Sequence, residues 1–83
     1  MKTQQLLIPG DISEAVGYIN YHAREPIVYQ GITFIYTKSH PKYPIDYYWS
    51  KDNPQYWIEK FTRYEATYLM TQDYLREILT QKP

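Results

Sequence analysis

The eleven residues from Ile27 to Thr37 constrain the fold more than any other stretch, because they read as two strands folded about a two-residue turn. Ile27, Val28 and Tyr29 precede Gln30 and Gly31, and Ile32, Thr33, Phe34, Ile35 and Tyr36 come after, a β-branched and aromatic composition around a glycine-containing pair. With Gln30 and Gly31 as the turn, Tyr29 faces Ile32 and Ile27 faces Phe34. One side of this hairpin is then strongly apolar, while Val28, Thr33, Ile35 and Thr37 populate the other. The first side is the expected core face.

After the hairpin the chain enters a loop, Ser39 to Pro44, with two prolines, and then Ile45 to Trp49, which reads as a third strand with Ile45, Tyr47 and Trp49 on one side. Before the hairpin, Leu6, Leu7 and Ile8 suit a short strand stopped by Pro9 and Gly10. Asp11 then stands as an N-cap ahead of Ile12, Ala15, Val16 and Ile19, which share one helical face, with Glu14 placed to complete a capping box. A helix over 12–23, closed by Pro26, is predicted.

Asn53 before Pro54 reads as a second helix start, and Trp57, Phe61, Tyr64, Tyr68, Leu75 and Ile78 recur at spacings of three, four or seven. Glu59 and Arg63 sit at the spacing of a supporting ion pair. Twenty-seven residues of helix would reach about 40 Å. Such a helix protrudes, packs between subunits, or breaks near Thr71, whose hydroxyl could cap a final helix with Asp73 in its first turn. The expected fold class is therefore α+β: a small antiparallel sheet packed against a short N-terminal and a long C-terminal helix. Residues 1–83 form one domain with frayed ends, its core drawn from Leu6, Ile8, Val16, Ile19, Ile27, Ile32, Phe34, Ile45, Trp57, Phe61 and Leu69.

Composition narrows function mainly by exclusion. Without a cysteine among 83 residues there is no disulfide framework, thiolate metal site or cysteine nucleophile. Nine Lys plus Arg balance nine Asp plus Glu, five against five through residue 53 and four against four beyond it. No basic arm exists to drive nonspecific nucleic-acid binding. No stretch approaches a membrane span or a signal-peptide core, which makes the cytoplasm the default compartment.

His22 and His40 lack the helical spacing of a metal pair, and no cofactor motif appears. For catalysis the candidates are His40 as acid or base, Asp46 or Asp52 as its partner, and Ser39 or a tyrosine as nucleophile, but no motif ties them together. The chain is read as no enzyme.

The compositional anomaly is eleven tyrosines. A core of this size cannot satisfy that many hydroxyls, so several rings stand partly exposed, either as the edge of the core or as adhesive surface. The candidate partner-binding residues are Tyr43, Tyr47, Tyr48, Trp49, Tyr56, Tyr64 and Tyr68. Function is expected to be a non-enzymatic interaction module, an adaptor, inhibitor or regulator, binding another protein or a second copy of itself. Lys38, His40 and Lys42, beside Tyr43, are candidate phosphate contacts for the alternative, a nucleic-acid binder that stacks bases on tyrosine and uses Lys51 as a further backbone contact.

Overall fold

The computed structural model describes residues 10–12, 19–73 and 76, and among them six strands form a single sheet. They are β1 (Gly10–Asp11), β2 (Ile27–Tyr29), β3 (Ile32–Ser39), β4 (Ile45–Trp49), β5 (Tyr56–Phe61) and β6 (Ala66–Thr71), in the order β1-β6-β5-β4-β3-β2. Strands β2 to β6 are a five-stranded antiparallel meander curled into a half-barrel.

The hairpin has the expected register, with Ile27 opposite Phe34 and Tyr29 opposite Ile32. Gln30 and Gly31 both take left-handed φ, 52° and 79°, as a type I′ turn demands, and glycine meets that demand without strain. Ile27, Ile32 and Phe34 are buried while Val28, Thr33 and Ile35 are exposed. The third strand also forms where expected, and Ile45, Tyr47 and Trp49 share a cluster with Trp57, Met70 and Phe61.

The C-terminal half departs from the expected α+β class: the residues assigned to the first part of the long helix are a β-hairpin, and no helical element lies between Pro54 and Thr71. Asn53 does not cap a helix. It closes a turn in which its N–H donates to the Ser50 carbonyl and its carbonyl accepts from Tyr56. The 3.6-residue pattern misleads here because β5 is buried on both faces, its charged Glu59 and Lys60 included, so the in–out alternation of a half-exposed strand is missing and Trp57 and Phe61 happen to stand at a helical spacing. Ile58 and Leu69 lie off the proposed helical seam. In the sheet they face each other and are deeply buried. Glu59 and Arg63 form no ladder pair, because Glu59 is buried on β5 and Arg63 is exposed on the turn.

For the N-terminal helix, Ile12 donates its N–H to the Thr67 carbonyl and residues 19–23 are irregular or turn, so neither end of 12–23 is helical. Residues 13–18 and the strand proposed at Leu6–Ile8 lie outside the described residues. Backbone at Gln72, Asp73 and Arg76 is helical, and the remainder of the proposed final helix also lies outside them.

β1 lies at one edge of the sheet and β2 at the other, so the chain has to get from one edge to the other between them. Residues 20–24 make that crossing strand by strand. Tyr21 reaches Thr67 on β6, the carbonyls of Asn20 and Ala23 meet Lys60 on β5, and Arg24 reaches Asp46 on β4 and Ser39 on β3. Beneath this strap lies the larger core cluster, Ile12, Ile27, Ile32, Phe34, Tyr48, Tyr56, Ile58 and Leu69.

Candidate functional site

Register assigns the aromatic-rich stretch to opposite faces and mostly to the interior. Tyr48 and Tyr56 point into the concave core, while Tyr47 and Trp57 belong to the convex cluster. This corrects the expectation that Tyr47, Tyr48 and Tyr56 supply partner surface, since all three are buried. Trp49 is half-buried, its ring 6.0 Å from that of Trp57 and its indole N–H on the Pro54 carbonyl. Tyr68 is exposed on the convex face and stands edge-on to Phe61 at 5.5 Å.

Tyr43 and Tyr64 remain, 59% and 73% exposed. The meander places both at the same end of the sheet, Tyr43 in the β3–β4 loop and Tyr64 in the β5–β6 turn. The two connections are tied together, for both the N–H and the hydroxyl of Thr62 donate to the Pro44 carbonyl at 3.0 Å. The strap arrives at this end too, and an open groove there is lined by Tyr21, His22, Arg24, Ser39, Tyr43 and Asp46.

The candidate phosphate contacts do not converge. Between Tyr36 and Lys38 the register shifts by one residue, so Thr37 is the extra residue of a β-bulge. The shift turns Lys38 onto the convex face, where its ammonium lies 5.1 Å from the Trp57 ring centroid. His40 is committed to its own loop: Nδ1 accepts the N–H groups of Lys42 and Tyr43 at 3.0 and 3.2 Å. Lys42 is exposed beside Tyr43, and Lys51 comes after β4 at the opposite end of the sheet.

The same bulge assembles a polar cluster that sequence reasoning missed, since it brings Tyr36 and Ser39 to one face. The Tyr36 hydroxyl and Ser39 Oγ are 2.7 Å apart, and Ser39 donates to Asp46 Oδ1 at 2.9 Å. Arg24 stacks on the Tyr36 ring at 4.4 Å, with Nε 3.5 Å from Asp46 Oδ2. Lys60 is 1% exposed, donates to the carbonyls of Asn20 and Ala23, and holds its ammonium 4.0 Å from Asp46. Burial pulls the Lys60 ammonium below the usual lysine range, and Asp46 offsets part of that pull. Burial also pushes Tyr48 up to about 12, with the Asp46 charge adding to it. A charged lysine inside strand β5 is the one signal that could have pointed here, because such a residue must find partners on another segment.

On the convex side, burial pushes the Tyr47 phenol well above its usual range, and Glu59 beside it adds to the effect. Burial likewise raises the Glu59 carboxyl, while the hydroxyl that Tyr47 donates at 3.4 Å partly offsets it. Of the catalytic candidates, Ser39 and Asp46 meet at 2.9 Å, while the hydrogen bonds at His40 Nδ1 run to its own loop. The buried polar groups hold the strap, while Tyr43 and Tyr64 stand exposed at the end of the sheet where it arrives. Among the described residues no helix is long and apolar enough to cross a membrane. No protein-family model, curated protein or solved structure matches the chain.

Proposed function

We propose that the chain is a small non-enzymatic interaction module that binds another protein through the end of the sheet carrying Tyr43 and Tyr64. One observation carries this reading: the two most exposed large aromatics among the described residues, far apart in sequence, stand on connections fastened to each other through Thr62 and Pro44. Tyrosine suits such a role because its ring contributes a large contact area at a small cost in side-chain entropy. Loops fixed on a rigid sheet hold their rings ready before the partner arrives.

The test is capture of a partner from lysate of the native source, using tagged wild type and a Tyr43→Ser/Tyr64→Ser double variant, with and without nuclease. A protein retained near stoichiometry after nuclease and lost with the double variant supports the reading. Equal capture by both forms overturns it.

A second reading, single-stranded nucleic acid, draws on Lys42 and Arg63, each adjacent in sequence to an exposed tyrosine. It requires binding that collapses with nuclease and weakens about tenfold or more between roughly 50 and 200 mM salt.

A further inference from the structure

Among the described residues, β2 has a neighbour on one side only. In a hairpin closed by a two-residue turn, the pair flanking the turn exchanges both hydrogen bonds, here Tyr29 with Ile32. The alternation of the ladder then aims the backbone of Ile27 at β3 and the N–H and C=O of Val28 away from it. The Val28 side chain is 57% exposed, and Ile35, diagonal to it on the convex face, is 51% exposed.

Natural sheets guard such edges with lysines, inward charges or bulges. Here the twelve residues from Pro26 to Thr37 carry no charge at all, in a chain that is 22% charged. Among the described residues Pro26 alone blunts the edge, by lacking an N–H. A partner bearing one sign of charge gains nothing from this strand. A copy of the same neutral strand meets no like-charge repulsion across a two-fold axis and matches it residue for residue.

We propose that β2 pairs antiparallel with β2 of a second copy, about a two-fold axis at Val28. Each Val28 donates its N–H to, and accepts from, Val28 of the partner copy, and the two side chains meet on the convex face with Ile35 of each copy flanking them. Pro26 falls opposite Gln30 of the partner copy, so the missing N–H coincides with the end of the paired stretch. The two curled sheets become one. Three residues a side bury less than the roughly 1,200 Å² of a standard interface, which makes this a weak association, with a Kd of about 100 μM. It goes beyond the proposed partner-binding role, because it uses neither Tyr43 nor Tyr64 and fails or holds independently of them.

The experiment is sedimentation velocity on the full chain from about 5 to about 500 μM, bracketing that Kd. Val28→Lys and Ile35→Lys are compared with Glu65→Lys, a turn substitution at the other end of β5 and β6, and circular dichroism checks that each variant folds. Wild type and Glu65→Lys should shift from monomer toward dimer across the range. Val28→Lys should weaken the association at least tenfold by setting two ammonium groups face to face, and Ile35→Lys should weaken it in the same direction. If Val28→Lys fails to fold, Ile35→Lys decides. A wild type that stays monomeric throughout, or self-association that survives both substitutions, overturns the proposal.

Discussion

Lys60 shows most sharply how single residues hold this molecule together. Its ammonium is buried beneath the strap, where two main-chain carbonyls and the Asp46 carboxylate surround it. Lys60→Met keeps most of the packing volume but leaves two acceptors without their donor and Asp46 with less positive charge nearby. It should cost about 2–4 kcal/mol, read as a lowered urea midpoint, because orphaned buried polar groups lose hydration without compensation. A midpoint within error of wild type would refute the role assigned to Lys60. Glu59 carries the opposite lesson. Its folded-state pKa is raised, so its contribution to stability is fully present below the unfolded value of about 4.3 and is lost as pH rises through the folded value. Glu59→Gln keeps an acceptor for the Tyr47 hydroxyl and removes the charge. It should raise stability near pH 7 by about 1 kcal/mol and leave it close to wild type near pH 4, where the carboxyl is largely neutral in both states. Urea titrations at the two pH values check this, and an equal gap at both contradicts the assignment.

At the scale of elements, the two hairpin turns share a backbone demand that their sequences meet unequally. Gln30 and Glu65 are the two described non-glycine residues with positive φ, at 52° and 54°. Asparagine tolerates the left-handed region better than either, so Gln30→Asn and Glu65→Asn should each stabilise by about 0.5–1 kcal/mol. Calorimetry would show the rise in Tm; a fall at position 65 would argue that the residue is not in a turn. The contrast between these turns explains how much of the fold was legible. Gln30–Gly31 announces its hairpin because glycine marks the left-handed position, and the first strand pair could be read from it with its faces assigned, while the third strand was legible in the alternation of Ile45, Tyr47 and Trp49. Thr62 to Glu65 contains neither glycine nor proline, so nothing in the sequence breaks the run between β5 and β6, and burial on both faces of β5 erases the alternation that identifies a strand. The bulge at Thr37 is silent for the same kind of reason: it is set by pairing between strands, not by a local preference, and it separates Lys38 from Lys42 while uniting Tyr36 with Ser39.

For the whole molecule, the surplus of tyrosine reads differently once topology is known. A five-stranded curled sheet has two faces to fill, and Tyr47, Tyr48 and Tyr56 help fill them, so Tyr43 and Tyr64 at one end and Tyr68 on the convex face are the exposed members of the candidate set. Composition shows that some rings must stand outside, but which ones depends on register, which composition does not carry. Because Tyr43 and Tyr64 support no core, replacing both with serine should change stability by less than about 0.5 kcal/mol while abolishing partner capture. The burial of Lys60 and Glu59, and the meeting of the Tyr64 turn with the Tyr43 loop, all depend on residues 54–71 forming two strands instead of a helix. The decisive measurement is a set of backbone nuclear Overhauser contacts on the labelled full chain. Two paired strands predict cross-strand contacts linking Glu59 to Tyr68, Lys60 to Thr67 and Phe61 to Ala66. Sequential amide contacts with helical contacts three and four residues apart through Thr62 to Glu65 and on to Leu69, and no cross-strand set, would contradict the pairing.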